Sequence, residues 1–134
     1  MSELTGTTDL SILAELKLLI HRLAIPVQTG GYMKAPPATF LVLIPLTESF
    51  PEHADDEPQL NQPEVRLSLY TKGSYTGLAD TLVRELLRSD FTVVNRQYIE
   101  YETDTGYHHY EIDVTKVYPF NLHEEDFLNE YNRS

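Results

Sequence analysis

Apolar residues recur along the chain at two spacings, and the change from one to the other marks the elements. From Leu10 to Leu23, the residues Leu13, Leu16, Ile20 and Leu23 repeat at helical spacing, and Ile12, Leu18 and Leu19 widen the apolar arc. An arc that wide predicts a helix covered on more than one side. Asp9 stands where an N-cap carboxylate accepts an orphan amide, His21 and Arg22 suit the negative end of the helix dipole, and Pro26 stops the element. Phe40-Leu41-Val42-Leu43-Ile44 is apolar at every position, the pattern of a strand buried on both faces.

Glu64 to Thr71 alternates instead. Val65, Leu67 and Leu69 point one way, and Arg66, Ser68 and Tyr70 the other. Gly73 breaks this strand, and Ser74 or Thr76 can cap a second helix over Thr76 to Arg88. Leu78, Leu82 and Leu86 with Ala79, Val83 and Leu87 make its buried face, while Asp80 and Arg84 stand four apart on the exposed one.

Phe91 to Thr103 and Tyr107 to Val117 read as two strands joined by Thr103-Asp104-Thr105-Gly106, with Gly106 in the left-handed position. Parity sets a register. If Glu102 faces Tyr107, then Glu100 meets His109, Tyr98 meets Glu111 and Arg96 meets Asp113, which matches charges across the strands.

The remaining segments are punctuation. Gly30-Gly31 and Pro36-Pro37 mark a loop, and residues 48–64 hold six acids, three prolines and no lysine or arginine, the composition of a long mobile loop. Pro119 separates the sheet from an acidic helix or tail over 122–134. The element order is thus α-β-β-α-β-β. It predicts one α+β domain over 1–121, with an antiparallel sheet of about four strands, two helices packed on it and a C-terminal acidic extension.

Charge changes this picture more than bulk composition does. The 134 residues carry a formal charge of −11 and no cysteine. Disulfides and thiolate metal sites are therefore excluded. The ten basic residues are scattered, which disfavours direct binding to a phosphate backbone. An acidic surface that repels or mimics DNA stays open beside the simpler reading that the charge keeps the chain soluble. The N-terminus has no basic region before an apolar run, and the densest apolar stretch, Phe40 to Leu46, is too short to span a bilayer. The expectation is a soluble, intracellular protein with no membrane partner.

Candidate chemistry is thin. His108 and His109 are adjacent on a strand and point to opposite faces, so they cannot share one metal, and His21, His53 and His123 lie in unrelated elements. Glu100, Glu102, Glu111 and Asp113 crowd one strand face, but Arg96 and His109 lie among them, which fits a solvated or partner-facing surface better than an acid/base pair. Lys72-Gly73-Ser74 lacks the spacing of a phosphate loop, and neither Ser68 nor Ser74 sits in a nucleophile elbow. The expectation is no catalysis, no metal and no cofactor. Association is favoured instead by a strand apolar on both faces around Leu41 and Leu43 and by nine tyrosines, including Tyr70 and Tyr98 at outward positions. Leu41, Leu43, Tyr70, Tyr98, Glu100 and Glu111 are the candidate interface residues.

Arg66-Leu67-Ser68-Leu69-Tyr70-Thr71-Lys72-Gly73-Ser74-Tyr75, followed by an amphipathic helix and by Tyr98 to Val114, resembles the tail-completion (tail-to-head joining, tail-terminator-like) proteins of long-tailed bacteriophages, most closely those of Bacillus-infecting siphophages. The resemblance covers residues 64–117, and the N-terminal half follows by pattern. It implies a virion protein at the head–tail junction, assembled in the host cytoplasm. Such a protein caps the tail tube, halts its growth and joins it to the head connector. Its implied partners are the tail tube protein, the head connector or a head-completion protein, and further copies of itself. Copies form a hexameric ring when assembled and can be monomeric when free. DNA passes through that ring without specific recognition. The family supplies no catalytic residues. The alternatives are an acidic intracellular adaptor or DNA-mimic binding module, and a small enzyme using the carboxylate face.

Overall fold

A computed structural model describes residues 11–31, 34–47 and 60–119. Within them are two helices and a five-stranded mixed sheet. Helix α1 spans Ile12–Arg22, followed by strands β1 Val27–Thr29, β2 Thr39–Thr47, β3 Leu60–Asn61 and β4 Glu64–Thr71. Helix α2 spans Thr76–Arg88, and β5 Thr92–Glu102, β6 Tyr107–Thr115 and β7 Tyr118–Pro119 complete the order. The main sheet runs β1-β2-β4-β6-β5, and β3 pairs with β7 as a separate two-stranded ribbon.

Both helices lie on one face of this sheet. They share a single core in which Leu16, Ile20, Leu82 and Leu86 meet Leu41, Leu43, Leu67, Leu69, Ile112 and Val114, all fully buried. The strand residues in that group alternate with residues on the opposite, helix-free face. The α+β class and the one-sided helix layer agree with the sequence pattern. The strand count does not, because β1 adds a fifth strand, parallel to β2 with Val27 against Leu41. At three residues it is too short to show a period.

The helix ends also differ from expectation. Asp9 lies outside the described residues, and the N-cap is Ser11, whose Oγ accepts the Ala14 amide at 3.1 Å. Leu18 is 58 % exposed, so among the described residues α1 is covered on one side only. Neither Ser74 nor Thr76 caps α2. Its N-cap is Tyr75, in helical conformation and without a side-chain cap bond, and the ring instead packs on Tyr98 and Tyr110. The C-termini are two copies of one motif. Ala24 (φ 60°) and Asp90 (φ 69°) are left-handed, and the following amides of Ile25 and Phe91 reach back to the carbonyls of Ile20 and Leu86. Ile25 and Phe91 are both buried beside those residues, closing each helix hydrophobically. The left-handed turn at Ala24 therefore ends α1 before Pro26 is reached.

The β5–β6 hairpin has the expected turn, with Gly106 at φ +84° donating to the Glu102 carbonyl at 2.7 Å. The register holds for Glu102 with Tyr107 and Glu100 with His109, then changes. Ile99 and Val94 are β-bulges, each an extra residue on β5. Past the first bulge Tyr98 faces Tyr110, Gln97 faces Glu111 and Arg96 faces Ile112, so the expected pairs Tyr98–Glu111 and Arg96–Asp113 do not form. The acidic loop also ends earlier than expected. Leu60–Asn61 is strand, and Glu64 opens β4; residues 48–59 and 120–134 lie outside the described residues.

Candidate interaction surface

The helix-free face is the part of the fold whose side chains no described element covers. Across β2, β4 and β6 three rings stack in a row: Phe40 on Tyr70 (4.9 Å between centroids) and Tyr70 on His109 (4.3 Å). Register places them side by side, since Phe40 pairs with Tyr70 and Tyr70 with His109 across neighbouring strands. Tyr107 meets Phe40 edge-on, its hydroxyl donates to the Pro37 carbonyl at 2.6 Å, and Lys72 Nζ lies 5.0 Å from its ring centroid.

Beside the rings is a charge cluster. Arg66 donates from Nε and Nη2 to the two carboxylate oxygens of Asp113 at 2.9 and 3.1 Å, and its Nε is 3.3 Å from Glu111 Oε1. Asp113 is almost fully buried although the pair lies on the helix-free side. The hydrogen bond it donates to Asp113 raises the Arg66 pKa above its already high ordinary value, so this cation is permanent. His109 Nε2 is buried 3.4 Å from Glu111 Oε2, yet not in hydrogen-bonding geometry. Burial holds the His109 pKa below its ordinary value, against the opposing pull of Glu111, Glu102 and Glu100, and the neutral ring is favoured. Burial, with the same three carboxylates, pushes the Tyr70 hydroxyl up.

The six candidate interface residues are thus sorted by the fold. Tyr70, Glu100 and Glu111 share the helix-free face around His109. Leu41 and Leu43 are fully buried under the helices and offer no area to a partner. Tyr98 is carried by the Ile99 bulge to the helix side, where its hydroxyl is 3.0 Å from His108 Nδ1 and its ring packs on Tyr75. The same bulge takes Arg96 there. Its Nε donates to the Tyr110 hydroxyl at 2.8 Å and its Nη2 to Asp80 at 2.9 Å, so Asp80 is engaged by β5 and not by Arg84. His108 and His109 do point to opposite faces. Among the described residues no three His, Asp or Glu side chains converge as a metal would require.

Three contributors were not singled out from sequence: Phe40, Tyr107 and the Arg66–Asp113 pair. The alternation in β4 and β6 places the last two on one face, but their meeting depends on β4 lying beside β6, which local pattern does not encode. On the helix side Lys116 plays a comparable role, donating to Glu15 Oε2 and the Ser89 carbonyl, both at 2.9 Å, while the Tyr118 hydroxyl donates to Glu15 Oε1 at 2.7 Å. This knot ties α1, the end of α2 and the exit of β6.

The arrangement offers an acidic surface around the half-buried Tyr70 and His109, with Phe40 and Tyr107 buried beside them, and a strand edge at β5. Among the described residues strand β5 is paired only on its β6 side, and most of its side chains are exposed. No protein-family model matches the chain, and no curated protein matches its sequence.

Proposed function

We propose that this chain is a structural assembly protein of a long-tailed bacteriophage, which caps the tail tube and joins the tail to the head connector as a ring of identical subunits. The observation that carries the reading is the helix-free sheet face. Helices cover one face of the sheet, and the other presents Ile44, Tyr70, Glu100 and Glu102 with no helix over them, a surface that suits a partner. The resemblance of Arg66 to Tyr75 and of Tyr98 to Val114 to tail-completion proteins supplies the kind of occupant, other virion subunits. The test is electron microscopy of particles made without this chain. The expected outcome is full heads beside overlong or unjoined tails; joined particles of normal tail length would refute the role.

A further inference from the structure

The two faces of the folded body carry opposite unpaired charge. On the helix side Glu15, Asp80 and Glu85 are each paired, with Lys116, Arg96 and Arg88. Lys17 and Arg22 on α1 and Arg84 on α2 are exposed and take part in no ion pair among the described residues. On the sheet side Arg66 is consumed by Asp113 and Glu111, and Glu64, Glu100 and Glu102 are in no such pair, so they outnumber Lys72, the free cation over the Tyr107 ring.

Each face also exposes apolar area next to these charges. Leu18 precedes Arg22 by four residues and Leu87 follows Arg84 by three, so each helix presents a leucine and an arginine together. These leucines are 58 % and 56 % exposed. Opposite them, Ile44 is 37 % exposed on the helix-free face, beside the half-buried Val42 and Arg66, while the half-buried Tyr70 lies further along β4.

We infer that the helix-free face of one copy docks on the helix layer of a second copy. Glu64, Glu100 and Glu102 of the first meet Lys17, Arg22 and Arg84 of the second, and Ile44 and Tyr70 meet Leu18 and Leu87. The occupant is fixed by charge complementarity between two surfaces of the same chain. Because the two surfaces differ, the contact is head-to-tail and repeats, closing into a ring where its rotation allows. The inference rests on the assembly role proposed above and names the faces that role would use.

Sedimentation velocity of the full chain, over a concentration series at low and high salt, tests it with two surface variants. One is Arg22→Glu with Arg84→Glu, and the other is Glu100→Lys with Glu102→Lys. The wild type should associate with increasing concentration, more weakly at high salt. Each variant alone should weaken association by about tenfold or more, since like charges then face each other. An equimolar mixture of the two should regain it, because each altered face then meets a complementary one. A wild type that stays monomeric throughout, growth that stops at a symmetric dimer, or a mixture no better than its parts would overturn the inference. Oligomers persisting in both variants would overturn the faces while leaving the assembly role intact, and particles joined normally without the chain would remove the role itself.

Discussion

Leu67 and Ser68 are neighbours in β4 and both are almost fully buried, but different things bury them. Leu67 lies under the helices, among Leu41, Leu43, Leu82 and Ile112. Ser68 lies on the other face, where it is screened by its own flanks Arg66 and Tyr70 and by Val42 and Glu111 on adjacent strands. One side of the sheet is thus held by a packed apolar layer. The other is held within its own plane, by stacked rings and a forked ion pair. The first owes its stability to water exclusion. The second covers small residues with large neighbours and leaves its outer surface open to a partner.

The largest expected difference between the sides comes from cavities. Leu67→Ala should cost about 3 kcal/mol in urea unfolding, through lost transfer energy and a void beneath the helices. Ile44→Ala on the open face should cost less than about 1 kcal/mol, because no layer closes over it. Equal losses at the two sites would mean the open face is as tightly packed as the core.

Next is the ion pair. Arg66→Met leaves the buried Asp113 carboxylate without its cation and should cost about 2 kcal/mol, discounted because the Arg66 side chain is itself 34 % exposed. Adding Asp113→Leu should recover most of that loss, since two apolar groups replace a half-broken pair. A double variant no better than the single one would show that Asp113 has a further role.

His109 gives a smaller, pH-dependent effect. Its folded pKa lies below its ordinary 6.5, so between the two values the unfolded chain binds more protons. Stability should be fully present above about pH 6.5 and decline as the pH falls through that value towards the folded one. His109→Gln should flatten this part of a melting-temperature profile. A wild-type profile that rose on acidification would mean that Glu100, Glu102 and Glu111 outweigh burial.

The smallest effect concerns the helix layer alone. Ala24→Gly and Asp90→Gly relieve left-handed backbone at the two helix ends, and each should raise stability by about 0.5–1 kcal/mol. A loss in either variant would show that the side chain makes a compensating contact.

Much of the helix side was legible from sequence, and much of the open side was not. The alternation of Val65, Leu67 and Leu69, the limits of α2 and the turn at Gly106 all follow from local pattern. The identity of Leu41 and Leu43 as apolar was plain, but not that both lie under the helices, because a uniformly apolar run has no parity to read. The bulge at Ile99 was hidden for a related reason: Tyr98-Ile99-Glu100-Tyr101 satisfies either register about equally, so charge matching selected a pairing the backbone does not make. Arg66 and Asp113 are 47 residues apart and meet only through the strand order.

Charge totals were misleading in the same way. Eleven of the 21 acids but only one of the ten basic residues fall in 1–10, 48–59 and 120–134, leaving ten acids against nine cations in the described body. The net charge of the whole chain therefore conceals a nearly neutral described body.

Carboxylate and amine footprinting of the free chain, against the same chain in assembled particles, asks most directly whether these faces meet partners. Glu100, Glu102 and Lys17 should label readily in the free chain and become protected together on assembly. Unchanged labelling at all three in assembled particles would contradict the docking of one face on the other.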